Sequence, residues 1–275
     1  TFPINESNWD LAIQVTEKPT PSPAGTKERF MISNLTNNTM YYFAIKARDE
    51  SDNWSELSNI ANRSTLPAIK AESGSAEDIQ KAVDIIASLG GGVVYIPEGN
   101  FTFSINYSIK RINNRYAGVQ VPGGVSIIGA GSNRTILYTP LSAWNTSLGN
   151  CMFVVEGRND KPVRISGILF QGSVNLTQGA DDDIDLKGLC LYGVKDYRID
   201  HCTFLDFPGT AILVSGNYVH KWNRGVIDHN VFDNPYKDVF WNYTGNKPYW
   251  GYGIIVGGDY PNYPDLDYYL GKYSN

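Results

Sequence analysis

The run Ile165-Ser-Gly-Ile-Leu-Phe170 recurs as Ile199-Asp-His-Cys-Thr-Phe204 and again as Ile227-Asp-His-Asn-Val-Phe232, at steps of 34 and 28 residues. A second series is interleaved with it. Phe153-Val-Val-Glu-Gly157 returns as Leu189-Cys-Leu-Tyr-Gly193, Ile212-Leu-Val-Ser-Gly216 and Ile254-Ile-Val-Gly-Gly258, at steps of 36, 23 and 42 residues. Such self-similarity constrains a chain strongly, because each unit buries its apolar face only by stacking on its neighbours. Short strands in two interleaved series, with a shortest step of 23 residues, fit a coil of about three strands per turn. The extra length in the longer steps reads as loops.

Alternation along a strand assigns the faces. Phe153, Leu189, Ile212 and Ile254 form one inward column, and Val155, Leu191, Val214 and Val256 the next. Val154, Cys190, Leu213 and Ile255 then point outward, and that column is apolar. A sugar-cleaving groove on this face would show acids, bases or cations. Either a loop covers the column, for which residues 217–224 and 233–250 are long enough, or these rungs are not the catalytic ones.

Upstream, Ile79, Ala82, Val83, Ile86 and Leu89 place one apolar stripe on a helix. Ser75 with Asp78 reads as a capping box. Gly90-Gly91-Gly92 ends the helix, since a left-handed residue is cheap only for glycine. Strand-like runs follow at Val93–Ile96 and Val125–Ile128. With their flanks, GGGVVYIPEGNF and GVSIIGAGSNRTIL, these residues resemble the N-terminal cap and first rungs of the pectate-lyase-like superfamily. The resemblance implies an all-β fold over residues 76–275: a right-handed parallel β-helix with an N-terminal capping α-helix. Asn275 arrives with no closing cap, so further C-terminal coils are expected.

Residues 1–66 also read as β. Phe30-Met31-Ile32 and Tyr41–Ala47 are strand-like between turn residues. Leu35-x3-Thr39-x-Tyr41, followed by YYFAIKARDESDNWSELSN, resembles a fibronectin type III module. About its last four strands are present, so the module is expected to be partial and Thr1 to fall inside it. The resemblance implies that the Tyr41 hydroxyl bonds the backbone upstream and that Trp54 packs near the last strand. Residues 67–75, with Pro67 and Gly74, read as a linker.

Net charge is −5, so no basic footprint for nucleic acid exists. No run of eighteen apolar residues is present to span a membrane. The three cysteines, Cys151, Cys190 and Cys202, all lie in strand-like runs. Such placement predicts small buried thiols rather than a disulfide framework. Eleven Asn-x-Ser/Thr sequons, against about three expected from residue frequencies, suggest a glycosylated extracellular or cell-surface protein. Turn preference for the same residue types is the competing explanation.

The sharpest chemical feature is Asp181, Asp182, Asp183 and Asp185, four carboxylates within five residues. They repel one another, which raises their pKa values or recruits a cation. Calcium suits such a loop, with Asp181, Asp183 and Asp185 as its ligands. Resemblance to polygalacturonase-like members implies catalytic aspartates at this position, working as general acid and base on a glycosidic bond. The aspartate pair on the next rung, the Gly-His-Gly of that family and the Arg-x-Pro-x-x-Arg of pectate lyases are absent, which keeps a plain solvated acidic loop as the alternative.

His201 and His229 each follow an aspartate, and a histidine beside a carboxylate could be a general base, but their shared repeat position predicts stacked, hydrogen-bonded structural histidines. Strand alternation predicts that neither Asp-His pair forms a dyad within itself. His220, Lys221, Trp222 and Arg224 could clamp an anionic sugar, or form an ordinary surface loop. Trp241, Trp250, Tyr252 and Asp259 belong to an aromatic tail suited to sugar stacking, a protein interface or a lid.

The sequence therefore predicts a protein that engages a polysaccharide or cell-surface glycan through its β-helix. As an enzyme it would be a polysaccharide lyase or glycoside hydrolase acting on an acidic glycan. The alternative is a non-catalytic adhesion or structural β-helix protein that binds glycan or a protein partner.

Overall fold

The computed structural model describes residues 2–16, 20–23, 25–26, 32, 35–105, 115–143, 149–157, 160–173, 186–207, 210–216, 223–233 and 252–257. Two compact units divide the chain, Thr1–Pro67 and Ala68–Asn275.

In the first unit, β1 (Met40–Phe43) pairs antiparallel with β2 (Ala61–Ser64). The Tyr41 hydroxyl accepts a 2.8 Å hydrogen bond from the backbone N–H of Thr36, which ties the turn down. Among the described residues this unit's other regular structure is a short 3-10 turn at Trp9–Leu11 and an Arg48–Trp54 bridge. They do not establish a fibronectin type III module, and Phe30 and Met31 lie outside the described residues. Trp54 departs from the expected packing. It is 55% exposed, with the Arg48 guanidinium 5.6 Å from its ring centroid. The turn puts the indole on the surface, where a cation covers one face.

The second unit opens with β3 (Ala68–Lys70), parallel to β4 (Gly92–Tyr95). Part of the stretch read as a linker is thus a strand. Between them runs α1 (Ala76–Ser88). The Ser75 hydroxyl accepts from Asp78 N at 3.2 Å, and Ser73 completes the cap by donating to the Asp78 carboxylate at 2.7 Å. At the other end, Gly90 N bonds Ala87 O and Gly91 N bonds Ile86 O, with Gly90 at φ +89°. That pair of bonds is a Schellman motif. Ile79, Ala82, Val83 and Ile86 are buried, whereas Leu89, beyond the last turn, is 59% exposed.

After β4 the chain repeats one three-strand turn. The strands are β5 (Gly99–Thr102), β6 (Arg115–Pro122), β7 (Val125–Ile128), β8 (Thr135–Tyr138), β9 (Gly149–Glu156), β10 (Val163–Ser166), β11 (Leu169–Gln171) and β12 (Leu186–Tyr192). They continue as β13 (Lys195–Asp200), β14 (Thr203–Leu205), β15 (Thr210–Ser215), β16 (Arg224–Asp228), β17 (Val231–Asp233) and β18 (Tyr252–Val256). Every third strand shares a parallel sheet. The first sheet runs β16-β13-β10-β7-β4-β3, the second β17-β14-β11-β8-β5, and the third β18-β15-β12-β9-β6. This is a right-handed parallel β-helix.

The sequence repeats become registers. Ile165 pairs with Ile199 and Ile199 with Ile227, while Phe170 pairs with Phe204 and Phe204 with Phe232. Phe153, Leu189, Ile212 and Ile254 likewise align across the third sheet. Phe170, Phe204 and Phe232 stack with ring centroids 5.2 Å apart. As far as β15 the inward columns join one core with the buried face of α1, whereas Ile254 and Val256 on β18, expected inward as well, are exposed because no described rung stacks on them. Val154, Cys190 and Leu213 form a second buried cluster on the outer face of the third sheet, with Ile255 packed against it. Residues 217–222 and 234–250, from the insertions expected to cover that face, lie outside the described residues.

The cysteine expectation is corrected. Cys151 and Cys190 form a disulfide, with Cα atoms 6.4 Å apart. Strict alternation from Phe153 would turn Cys151 inward. Instead Met152 and Phe153 both enter the main core, and Cys151 emerges outside beside Cys190. The ladder skips at that point, between the Ala117–Cys151 and Val119–Phe153 pairs. Gly118 serves the same bend, since a Cβ there would lie 2.1 Å from the Phe103 ring. Cys202 is the buried free thiol that was expected.

Candidate functional site

Most sequence-predicted site residues lie outside the described residues: Asp181, Asp182, Asp183, Asp185, His220, Lys221, Trp222, Trp241, Trp250 and Asp259. Tyr252 opens β18 opposite Thr210, and its side chain is also outside them. Arg224 opens β16. Among the described residues no group of three or more potential metal ligands comes together.

What the structure does assemble is on the outer face of the first sheet. Arg164 and Arg198 are register partners on β10 and β13, and Asp200 and Asp228 are partners two residues further along β13 and β16. Alternation therefore turns all four outward. Each arginine reaches forward one rung to a carboxylate. Arg164 holds Asp200 through Nε at 2.8 Å and Nη2 at 2.6 Å. Arg198 holds Asp228 through Nε at 3.1 Å and Nη2 at 2.8 Å. Fork-shaped pairs of this kind fix the guanidinium plane.

Asp200 is fully buried beneath these groups. The Arg164 guanidinium, with help from His201 and Arg198, outweighs burial and holds its carboxyl down at about 2. Asp228 is also lowered, chiefly by Arg198 and then by His229.

The Asp-His expectation is corrected as well. His201 Nδ1 lies 2.8 Å from Asp200 Oδ2, and His229 Nδ1 2.9 Å from Asp228 Oδ2. Both histidines have φ of +54°, as left-handed turn residues just past the strand, so strand alternation no longer applies to them. Gly167 fills this place one rung earlier, at φ +70°. The two imidazoles stack with centroids 5.2 Å apart and planes within 5°. An Nδ1–H donated to a carboxylate leaves Nε2 as the basic nitrogen, on rings whose side chains are 60% and 67% exposed.

Beside this ladder lies an open groove of about 480 Å³. Ser126, Arg164, Arg198 and Val226 line it along one column, with Arg224 and Asp196 at its rim. Arg224 Nε bonds Asp196 Oδ1 at 2.9 Å. Gly225 gives room for Tyr197, because a Cβ there would stand 2.4 Å from the Tyr197 ring. Of the predicted site residues, Arg224 alone reaches this groove among the described ones. Arg164 and Arg198 were missed, although their outward position was readable from the repeat: each precedes the aligned isoleucine by one residue.

Two charged residues on the third sheet were also missed, Lys187 and Glu156, buried to 2% and 8% exposure. Gln120 Nε2 donates to Glu156 Oε2 at 2.9 Å. Lys187 interrupts an apolar run opposite Cys151.

No family model matches this chain, and no curated protein does. Among solved structures it is similar to a candidate glycosyl hydrolase from Parabacteroides merdae, at 15% identity and TM-score 0.44, over 61% of this chain and 76% of that one. It is also similar to the A-modules of two Azotobacter vinelandii mannuronan C-5 epimerases. For AlgE6 the identity is 14% and the TM-score 0.42, over 58% of this chain and 46% of the module. For AlgE4 they are 15% and 0.39, over 61% and 50%. The match thus spans about half the length of each epimerase module.

Proposed function

We propose that this chain belongs to an extracellular or cell-surface protein that engages polysaccharide through its β-helix. The observation that carries the reading is the open groove on the first sheet, with three part-exposed arginines on a rigid strand scaffold. Sugar chains need such a long, shallow, donor-rich surface, and side chains fixed on strands lose little freedom on binding. The Cys151–Cys190 disulfide supports an oxidising compartment.

In the catalytic form of this proposal, Asp181, Asp182, Asp183 and Asp185 act on an acidic glycan, with or without calcium, and Trp222, Arg224, Trp241, Trp250, Tyr252 and Asp259 hold the chain. The second reading is a non-catalytic adhesion or structural protein, with glycan or a protein as partner. It is favoured by the buried apolar column Val154, Cys190 and Leu213 on the third sheet's outer face, beside which the charged residues Glu156 and Lys187 are themselves buried.

The test is incubation with acidic and neutral polysaccharides, in calcium and in chelator, reading both new reducing ends and retention on polysaccharide gels. New ends that vanish in chelator and in an Asp181→Ala/Asp182→Ala/Asp183→Ala variant support cleavage at the aspartate loop. Retention without new ends supports binding alone. No retention and no new ends overturn the proposal in both forms.

A further inference from the structure

Four neighbouring strands put Ser126, Arg164, Arg198 and Val226 in one column at the groove. A column of register partners runs along the helix axis, stepping about 4.8 Å per rung. Both guanidiniums spend Nε and Nη2 on the carboxylate ahead of them. Among the described residues neither Nη1 takes part in a hydrogen bond. Each arginine therefore offers two further N–H donors, repeated at the rung spacing and already held in place. Holding them costs the ligand little, because the clamp has removed most of the side-chain freedom beforehand.

We infer that this column is the seat of an anionic glycan lying along the helix axis, with successive negative groups against the Nη1 edges of Arg164 and Arg198. The inference rests on the polysaccharide reading and adds the charge, direction and contact atoms of the ligand. Carboxylate and sulfate share the chemistry, since both present paired oxygens to a guanidinium edge. Pro162 and Val226 supply apolar surface for the sugar rings between charged groups. Arg224, 76% exposed at the rim, adds a third cation. The three arginines are balanced by Asp196, Asp200 and Asp228, so directional donors rather than net charge select the ligand.

The decisive experiment is affinity electrophoresis of the whole chain through gels containing a polyuronate, a sulfated glycan or a neutral glucan, at low and high salt. Retention by a charged glycan, weakened by salt, is expected, with little by the glucan. Which charged gel retains the protein tells carboxylate from sulfate. Val226→Glu puts a negative charge into the column without touching the clamp, at a position already 52% exposed. It is expected to weaken retention about tenfold with thermal unfolding unchanged. Arg198→Lys keeps the charge, loses the fork, and is expected to weaken retention about threefold. Equal retention by the glucan, or retention indifferent to Val226→Glu, overturns this site while leaving polysaccharide engagement standing. No retention in any gel overturns both.

Discussion

Asp200 shows how much one residue can be asked to hold. Its carboxylate is buried, yet it takes Arg164 in a two-bond fork, His201 Nδ1 at 2.8 Å, and Arg198 at 3.7 Å. The folded pKa of about 2 lies below the ordinary aspartate value of 3.8. A depressed carboxyl stabilises the fold fully above its unfolded pKa, and that contribution fades as pH falls through the folded value. Stability is therefore expected to be insensitive to Asp200 above about pH 5 and to drop between about pH 4 and 2. Asp200→Asn should cost about 2 kcal/mol near neutrality and flatten that acid limb. Urea unfolding at a series of pH values measures both, and an unchanged acid limb in the variant would refute the assignment. Cys202 makes a second case. Burial pushes its thiol up to about 12, so it carries almost no thiolate at neutral pH. Alkylating reagents should leave the native protein unlabelled and modify this one cysteine once the chain is unfolded in denaturant. Labelling of the native protein at a rate near that of a free thiol would contradict its burial.

At the scale of the element, the rungs depend on places where two backbones nearly touch. A Cβ at Gly157 would lie 1.9 Å from Gly193 O, and one at Gly129 would lie 2.2 Å from Gly167 O. These glycines bring successive turns together at the corners of the coil. Gly157→Ala cannot be accommodated without moving backbone and should cost about 2–3 kcal/mol. The stack of Phe170, Phe204 and Phe232 works by contact instead. Phe204→Ala should cost about 3–5 kcal/mol, since the ring is fully buried between neighbours that cannot close the gap. Ser75→Ala should cost only about 1 kcal/mol, the ordinary value of an N-cap. Chemical denaturation midpoints would rank the three. A Ser75→Ala loss as large as that of Phe204→Ala would show that α1 holds the coil together rather than covering its end.

At the scale of the molecule, the two units are built on different terms. The coil shares one core from α1 to β15, while the first unit has a single two-stranded sheet among its described residues. A lone hairpin-like pair is marginally stable in water. Amide exchange should therefore be fastest in Tyr41–Phe43 and Ala61–Ser64 and slowest in Phe153–Val155 and Leu189–Leu191. Equal protection in both units would mean that the first unit has support beyond that sheet. Expression in a glycosylating host offers another check. The sequon asparagines Asn5, Asn37, Asn53, Asn62, Asn100 and Asn133 are all exposed, and none lies in a strand of the first sheet. Mass spectrometry should find glycan on this set while gel retention by charged glycan is unchanged. Loss of retention on glycosylation would count against the groove.

The sequence by itself determined the coil. Its two repeat series became strand registers residue for residue, its helix caps formed where Ser75 and Gly90 stand, and the apolar outward column was visible from alternation alone. These features follow from local periodicity and capping, which need no knowledge of distant residues. Departures from periodicity were decided only by the tertiary structure. Two consecutive inward residues at Met152 and Phe153 carried Cys151 round to Cys190. A left-handed φ at His201 and His229 swung each imidazole back onto the preceding aspartate. Stacking one rung on the next joined Arg164 to Asp200 across 36 residues and Arg198 to Asp228 across 30. A guanidinium's partner lies on a neighbouring rung, and loops of unequal length set which residue that is. The groove is the product of those pairings, so it became legible only when the turns were in place.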